Sequence, residues 1–313
     1  MSTHRTTLPQ LSDRVFLTDG GIETTLIFND GLDLPDFAAF VLLADGEGRA
    51  ALRRYFEPYL DAAADAGRGI VLETPTWRAS TDWGARLGYS AHALAEANRA
   101  AVDLLLELRK EHETPERVVV VSGCVGPRGD GYAPDSLMTP DQAEAYHAEQ
   151  VEVLAAAGAD LVTAITMTHT GEAIGFARAA AAVDVPSVVS FTVETDGRLP
   201  SGQPLGEAIQ EVDVETGGAP AYFMVNCAHP THFAATLLDG GDWTGRVWGL
   251  RANASAMSHA ELDAAETLDS GDPVDLGRRY AELRHGLPQL RILGGCCGTD
   301  ARHIRAISEA CRG

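Results

Sequence analysis

Short runs rich in β-branched and aliphatic residues recur along the chain. Each is followed by a longer Ala/Leu-rich stretch with charges at helical spacing. Eight such runs predict strands, over Val15–Gly21, Gly69–Trp77, Val118–Gly126, Asp160–Met167, Ser187–Glu194, Ala221–Cys227, Arg246–Asn253 and Arg291–Gly295. Most are apolar throughout rather than alternating, as in strands covered on both faces. Between them the spacing predicts helices over Gly48–Ala66, Ala91–His112, Pro140–Ala157, Ala173–Ala182, Leu205–Glu215, His232–Asp239, Asp275–His285 and Asp300–Arg312. Thr139-Pro140-Asp141-Gln142 reads as an N-cap followed by a first-position proline. Strand–helix units in series predict an α/β chain folded as a (β/α)8 TIM barrel. A doubly wound open sheet is the competing arrangement, which periodicity does not separate from it. No linker, repeat or low-complexity tract divides the chain, so one domain is expected over residues 1–313. Ser258–Pro273 reads as an acidic insertion after the seventh strand, either a solvated loop with a short helix or a flank of the site mouth.

Composition narrows the partners. The chain has 313 residues, 45% of them hydrophobic, enough for a large core. Its formal net charge is −21, which repels phosphates, so nucleic acid and anionic membranes are not expected partners. No apolar run reaches the roughly 20 residues of a membrane span, and the N-terminus shows no apolar signal core. These features point to the cytoplasm, with a homo-oligomer left open. Five cysteines are no disulfide scaffold, and an odd count leaves at least one unpaired. There is no GxGxxG after the first strand to support a dinucleotide fold.

In a barrel, chemistry sits at the carboxyl ends of the strands. The unusual residues fall there at six strand ends: Thr18-Asp19-Gly20-Gly21, Thr74-Pro75-Thr76-Trp77, Gly123-Cys124-Val125-Gly126-Pro127-Arg128-Gly129-Asp130, Asn226-Cys227-Ala228-His229-Pro230, Arg251-Ala252-Asn253-Ala254-Ser255 and Gly294-Gly295-Cys296-Cys297-Gly298-Thr299. Strands six and eight flank seven at about 5 Å spacings, so Cys227 can converge with Cys296 and Cys297. Adjacent side chains diverge on a strand, and the glycines around the cysteine pair permit the turn that would bring both to one ion. Three sulfur ligands suit Zn²⁺ and leave a fourth position open. Buried inert thiols are the alternative.

These motifs resemble the homocysteine S-methyltransferase family. The similarity covers nearly the whole chain and includes Thr74-x-Thr76-Trp77-x-Ala79-Ser80, Gly126-Pro127 and Gly197-x-x-x-Ser201-Gly202-x-Pro204-Leu205. The resemblance implies a (β/α)8 barrel, zinc held by Cys227, Cys296 and Cys297, and acceptor contacts around Asp19, Gly20 and Thr74. It implies methyl transfer from a sulfonium or ammonium donor, S-methylmethionine foremost, to the homocysteine thiolate, giving methionine. The partners are then a small-molecule thiol and a methyl donor. Zinc serves this chemistry because a free thiol with pKa about 8.5 is only a few per cent ionised near neutrality, whereas a coordinated one is deprotonated.

Other residues carry weaker readings. Asp19 either orients the acceptor amino group or caps the Gly20-Gly21 loop. Trp77 is a candidate to hold the donor cation, or packs the barrel mouth. Asn226 fixes the Cys227 turn or touches substrate. Cys124 and Cys311 read as packed thiols, and His229 as a ligand-supporting or plain loop histidine. His169 carries no specific signal, and Arg128-Gly129-Asp130 binds a carboxylate or forms a local ion pair. The resemblance also exposes a departure. Ile165 stands where the family carries a glutamate for the homocysteine amino group, with Glu23, Glu73 and Glu172 as candidate substitutes. Hence two rivals: the same chemistry on a different thiol or selenol, and a non-catalytic zinc- or thiol-binding protein.

Overall fold

In the computed structural model, which describes residues 3–132 and 137–312, eight parallel strands close into a barrel in sequence order. They are β1 (Phe16–Thr18), β2 (Gly69–Glu73), β3 (Val119–Val125), β4 (Leu161–Met167), β5 (Ser187–Phe191), β6 (Pro220–Asn226), β7 (Val247–Ala252) and β8 (Ile292–Gly295). The seam pairs Phe16 with Ile292 and Leu17 with Leu293. The barrel is therefore the expected one, and not an open sheet.

The principal helices are α1 (Gly46–Asp65), α2 (Ala91–His112), α3 (Pro140–Ala157), α4 (Thr170–Ala182), α5 (Leu205–Thr216), α6 (Pro230–Leu238), α7 (Pro273–Gly286) and α8 (Ala301–Ala310). No helix among the described residues is long and apolar enough to cross a membrane.

The unbroken apolar runs have a direct cause. On β2, Ile70 and Leu72 pack outward against the helices while Val71 packs into the barrel with Phe16, Val120 and Val188. Both faces are dry, so both are apolar. Toward the carboxyl end the interior becomes polar. Ser122 and Thr163 share a hydrogen bond of 2.7 Å, and Ser190 Oγ donates to Asn226 Oδ1 at 2.6 Å. This polar layer is the floor of the site.

Several boundaries differ from expectation. β1, β2 and β5 end earlier than Gly21, Trp77 and Glu194. The residues beyond leave the ladder: Pro75 has no N–H to give, and Thr76 N–H turns back to Thr74 O at 2.8 Å. Helices α4, α6 and α7 begin earlier than Ala173, His232 and Asp275. Pro230 and Pro273 are first-turn prolines, and His169, His229 and Asp272 are the caps. The short helix Thr81–Arg86 was not anticipated, because six residues containing a glycine carry no apolar stripe. The capping box at Thr139 and Gln142 is as expected.

Candidate active site

Cys227 follows β6, and Cys296 and Cys297 follow β8, so both stretches open on the carboxyl-end face. Strand β7 lies between and holds both. Cys227 N–H donates to Arg251 O at 3.1 Å, and Cys296 N–H donates to the next carbonyl, Ala252 O, at 2.8 Å. Cys227 has φ 52°, a left-handed conformation unusual for a residue with a Cβ. Its carbonyl accepts from His259 Nε2 at 2.8 Å, and the other ring nitrogen of His259 lies 3.0 Å from Glu194 Oε1. The cysteine pair turns tightly: Cys296 O accepts from Thr299 N–H at 3.1 Å and Thr299 Oγ1 at 2.7 Å. Gly21 packs against that carbonyl so closely that a Cβ would lie 2.5 Å from it. Gly294 is equally obligatory, since its Cβ would meet Thr18 Oγ1 at 1.8 Å.

The three sulfurs meet. All lie within 4.8 Å of one another, with Cys227 Sγ 2.6 Å from Cys296 Sγ and 3.8 Å from Cys297 Sγ. Ligands 2.3 Å from a tetrahedral ion stand roughly 3.8 Å apart. The second separation fits that spacing and the first must open, while it is too long for a disulfide. The donor set thus fits a thiophilic metal ion. Hydrogen bonds from Cys227 and Cys297, helped by the Arg251 guanidinium, hold the Cys296 thiol well below its usual range. The Tyr132 hydroxyl lies 3.4 Å from Cys297 Sγ and 3.7 Å from Cys227 Sγ, and its ring stacks on His259 with centroids 4.1 Å apart.

The sulfurs border a cavity of about 330 Å³ that also receives Asp19, Gly20, Thr74, Trp77 and Ile165. It is acidic: Asp19, Glu23, Glu73, Asp130, Asp263 and Asp269 face Arg78 and Arg251. The segment Ser258–Pro273 holds a short helix, His259–Asp263, and flanks this mouth through Leu262, Asp263 and Leu268. Phe28 and Phe37 line it from the opposite stretch and are about half exposed.

Asp19 is 2% exposed and already engaged. Its Oδ1 accepts from Arg251 Nη1 at 2.7 Å, and its Oδ2 from the Tyr55 hydroxyl at 2.9 Å. Gly20 O accepts from Tyr55 and from Arg251 Nη2 at 3.3 Å. Thr74 Oγ1 accepts from Cys124 N–H at 2.8 Å. Trp77 donates from Nε1 to Ile165 O at 3.3 Å, and one face of its ring carries the Arg78 guanidinium, 4.0 Å from the centroid. Asn226 lies beneath the cavity. It donates to Thr166 Oγ1 and accepts from Thr166 N–H at 3.0 Å, holding that residue at φ 68°.

Of the three glutamates that could stand in for position 165, Glu172 is committed elsewhere, to His147, His169 and the Arg128 amide. Burial would raise its carboxyl, but these hydrogen bonds prevail and hold it near about 2. Glu23 and Glu73 both line the cavity. Burial pushes Glu73 up to about 7, against the pull of Arg251, and its Oε2 has no hydrogen-bond partner. Cys124 borders the cavity as a buried thiol pushed well up by desolvation, and Cys311, the C-cap of α8, is packed into the core. His229 caps α6, accepting from Thr231 N–H at 3.3 Å. Arg128 pairs with Asp82 on the surface at 2.7 Å.

Arg251 stood at the end of the seventh strand in the sequence without a role, and Arg78 inside the Thr74–Ser80 stretch; Tyr132 and His259 were passed over because neither sits in a recognisable motif and each gains meaning only from loops distant in the chain.

A family model described as homocysteine S-methyltransferase matches residues 16–311. Homocysteine S-methyltransferase 4 of Zea mays is 27% identical over 95% of this chain and 89% of its own length. Selenocysteine Se-methyltransferase of Brassica oleracea var. italica is 24% identical, covering 94% of this chain and 88% of its own. The crystal structure of the oxidized form of the Escherichia coli homocysteine methyltransferase MmuM superposes with a TM-score of 0.74, at 23% identity, over 98% of this chain and 99% of that one. The metallated form of the same enzyme gives a TM-score of 0.72.

Proposed function

The chain belongs to the homocysteine S-methyltransferase family, and from that premise we propose that it is a zinc-dependent methyltransferase that moves a methyl group from a cationic donor to homocysteine. The observation that carries this reading is the meeting of Cys227, Cys296 and Cys297 at the edge of one acidic cavity. Zinc is the metal proposed, since three thiolates with an open fourth position match its preference in catalytic sites. Bound there, it would supply a positive centre that keeps an acceptor thiol ionised at neutral pH.

The protein's own residues do the rest. His259 and the carbonyls of β7 fix the backbone of Cys227 and Cys296, and Cys297 O accepts from Ala254 N–H just past β7 at 3.0 Å. The hydroxyl of Tyr132 stands beside two of the sulfurs, and burial keeps it protonated, so it can donate toward them. Even with Glu23 and Glu73 raised by burial, Asp19, Asp130, Asp263 and Asp269 outnumber the two guanidiniums, which favours a substrate with net positive charge. S-methylmethionine, a sulfonium, meets that requirement and is the preferred donor. The acceptor thiolate takes its methyl as the donor S–CH3 bond breaks, and the rest of the donor departs as a neutral thioether, so no proton need be supplied to the leaving group. The whole chain, 1–313, is taken as one domain working in the cytoplasm.

The test is direct. Zinc-loaded protein is incubated with homocysteine and, separately, S-methylmethionine, betaine or S-adenosylmethionine, and methionine is followed by mass. Methionine from S-methylmethionine is expected; no product from any donor overturns the reading.

A further inference from the structure

Two side chains of opposite charge line the cavity without pairing. Arg78 is 7% exposed, and its guanidinium lies between the rings of Trp77 and Trp83, 4.0 and 3.7 Å from their centroids. Its Nη1 donates to Gly129 O at 3.1 Å, while Nε is buried with no hydrogen-bond partner. The carboxylates of Asp130, Glu23 and Asp36 act on it from a distance, and it forms no ion pair among the described residues.

Glu23 lies two residues beyond Gly21, the glycine that abuts Cys296 O. It is therefore carried close to the thiols, and Cys296 and Asp19 both act on its charge. Apart from its own backbone amide, its carboxylate has no hydrogen-bond partner among the described residues. On the β4 side the wall is Ile165, which offers no charge.

We propose that Glu23 and Arg78 form a slot for the ammonium and the carboxylate of an α-amino-acid head group, with the sulfur of that molecule directed toward the three cysteines. Each partner lacks a full counter-charge. Burial pushes Glu23 up to about 8, and burial pulls Arg78 down to about 10 despite the carboxylates around it. A zwitterionic head meets both deficits while adding no net charge. The slot also accounts for Ile165, because the carboxylate has moved from β4 to the segment after β1.

The proposal rests on reading the cysteines as a thiol-methylating site, and the experiment separates the two. Trp77 and Trp83 flank Arg78, so their fluorescence reports on the slot without turnover. Methionine, which has the head group and no thiol, is titrated into wild-type, Glu23→Gln and Arg78→Lys protein. Both substitutions should weaken methionine roughly tenfold or more, and Glu23→Asp should recover part of the loss. In the wild type, 4-sulfanylbutanoate and 3-aminopropane-1-thiol, each lacking one end of the head, should bind worse than homocysteine. Where turnover is measured, a raised KM for homocysteine with the donor KM unchanged assigns the slot to the acceptor, and the reverse assigns it to an amino-acid donor. The slot is overturned if wild-type protein binds the truncated thiols as tightly as homocysteine, or if both variants hold methionine within twofold of wild type. Failure of every donor to yield product would sink the methyltransferase reading while leaving the fluorescence result to decide the slot.

Discussion

Cys227 and Cys296 hang from consecutive carbonyls of β7, Arg251 O and Ala252 O. One strand thus sets the spacing of two ligands that lie on either side of it. Replacing Cys296 by Ser should remove the metal together with turnover, because two sulfurs leave an incomplete site. Metal content by mass spectrometry and methyl transfer should fall in parallel. A chelator should inactivate the wild type, with recovery on adding zinc.

His259 braces the strained carbonyl of Cys227. Partners that fix metal ligands typically contribute about 10- to 100-fold in affinity. His259→Ala should therefore bind zinc about tenfold or more weakly, as read by competition with a coloured chelator, while far-UV circular dichroism stays unchanged.

Asp19 and Arg251 form a buried ion pair at 2.7 Å, with side chains 2% and 7% exposed. Asp19→Ala leaves a buried guanidinium without its main counter-charge, at a cost of about 3–5 kcal/mol. Urea unfolding should show that loss. The double variant Asp19→Ala with Arg251→Met should recover part of it.

Glu172 gives a pH signature. Its carboxyl is held near about 2 in the fold, below the ordinary 4.5. A depressed carboxylate stabilises fully above its unfolded pKa and loses that contribution as pH falls through the folded one. Glu172→Gln should cost up to about 3 kcal/mol at pH 7, and the gap from wild type should shrink by more than half by about pH 3. Urea midpoints across that range check it; a gap independent of pH would refute the assignment.

The barrel was legible because each strand is dry on both faces, which leaves an unbroken apolar run. The strand ends were not. Thr74-Pro75-Thr76 has strand-like composition, yet its proline and the turn at Thr76 take it out of the ladder. The thiol cluster was legible too, since cysteines beside glycines at strand ends are rare enough to stand out. Its surroundings were hidden for a geometric reason. Asp19 and Arg251 are 232 positions apart, and Thr166 and Asn226 are 60 apart, so neither pairing exists until the barrel closes. Tyr132, after β3, and His259, on the short helix after β7, meet only as stacked rings.

Closure of the barrel has a consequence for how the protein is made. Two of the three sulfurs stand just past β8, the strand that joins β7 to β1. A nascent polypeptide that ends before the final strand carries only Cys227 of the three. A metal ion held by all three sulfurs would thus load late in biogenesis, and any product of interrupted translation that stops short of the final strand would lack two of its ligands.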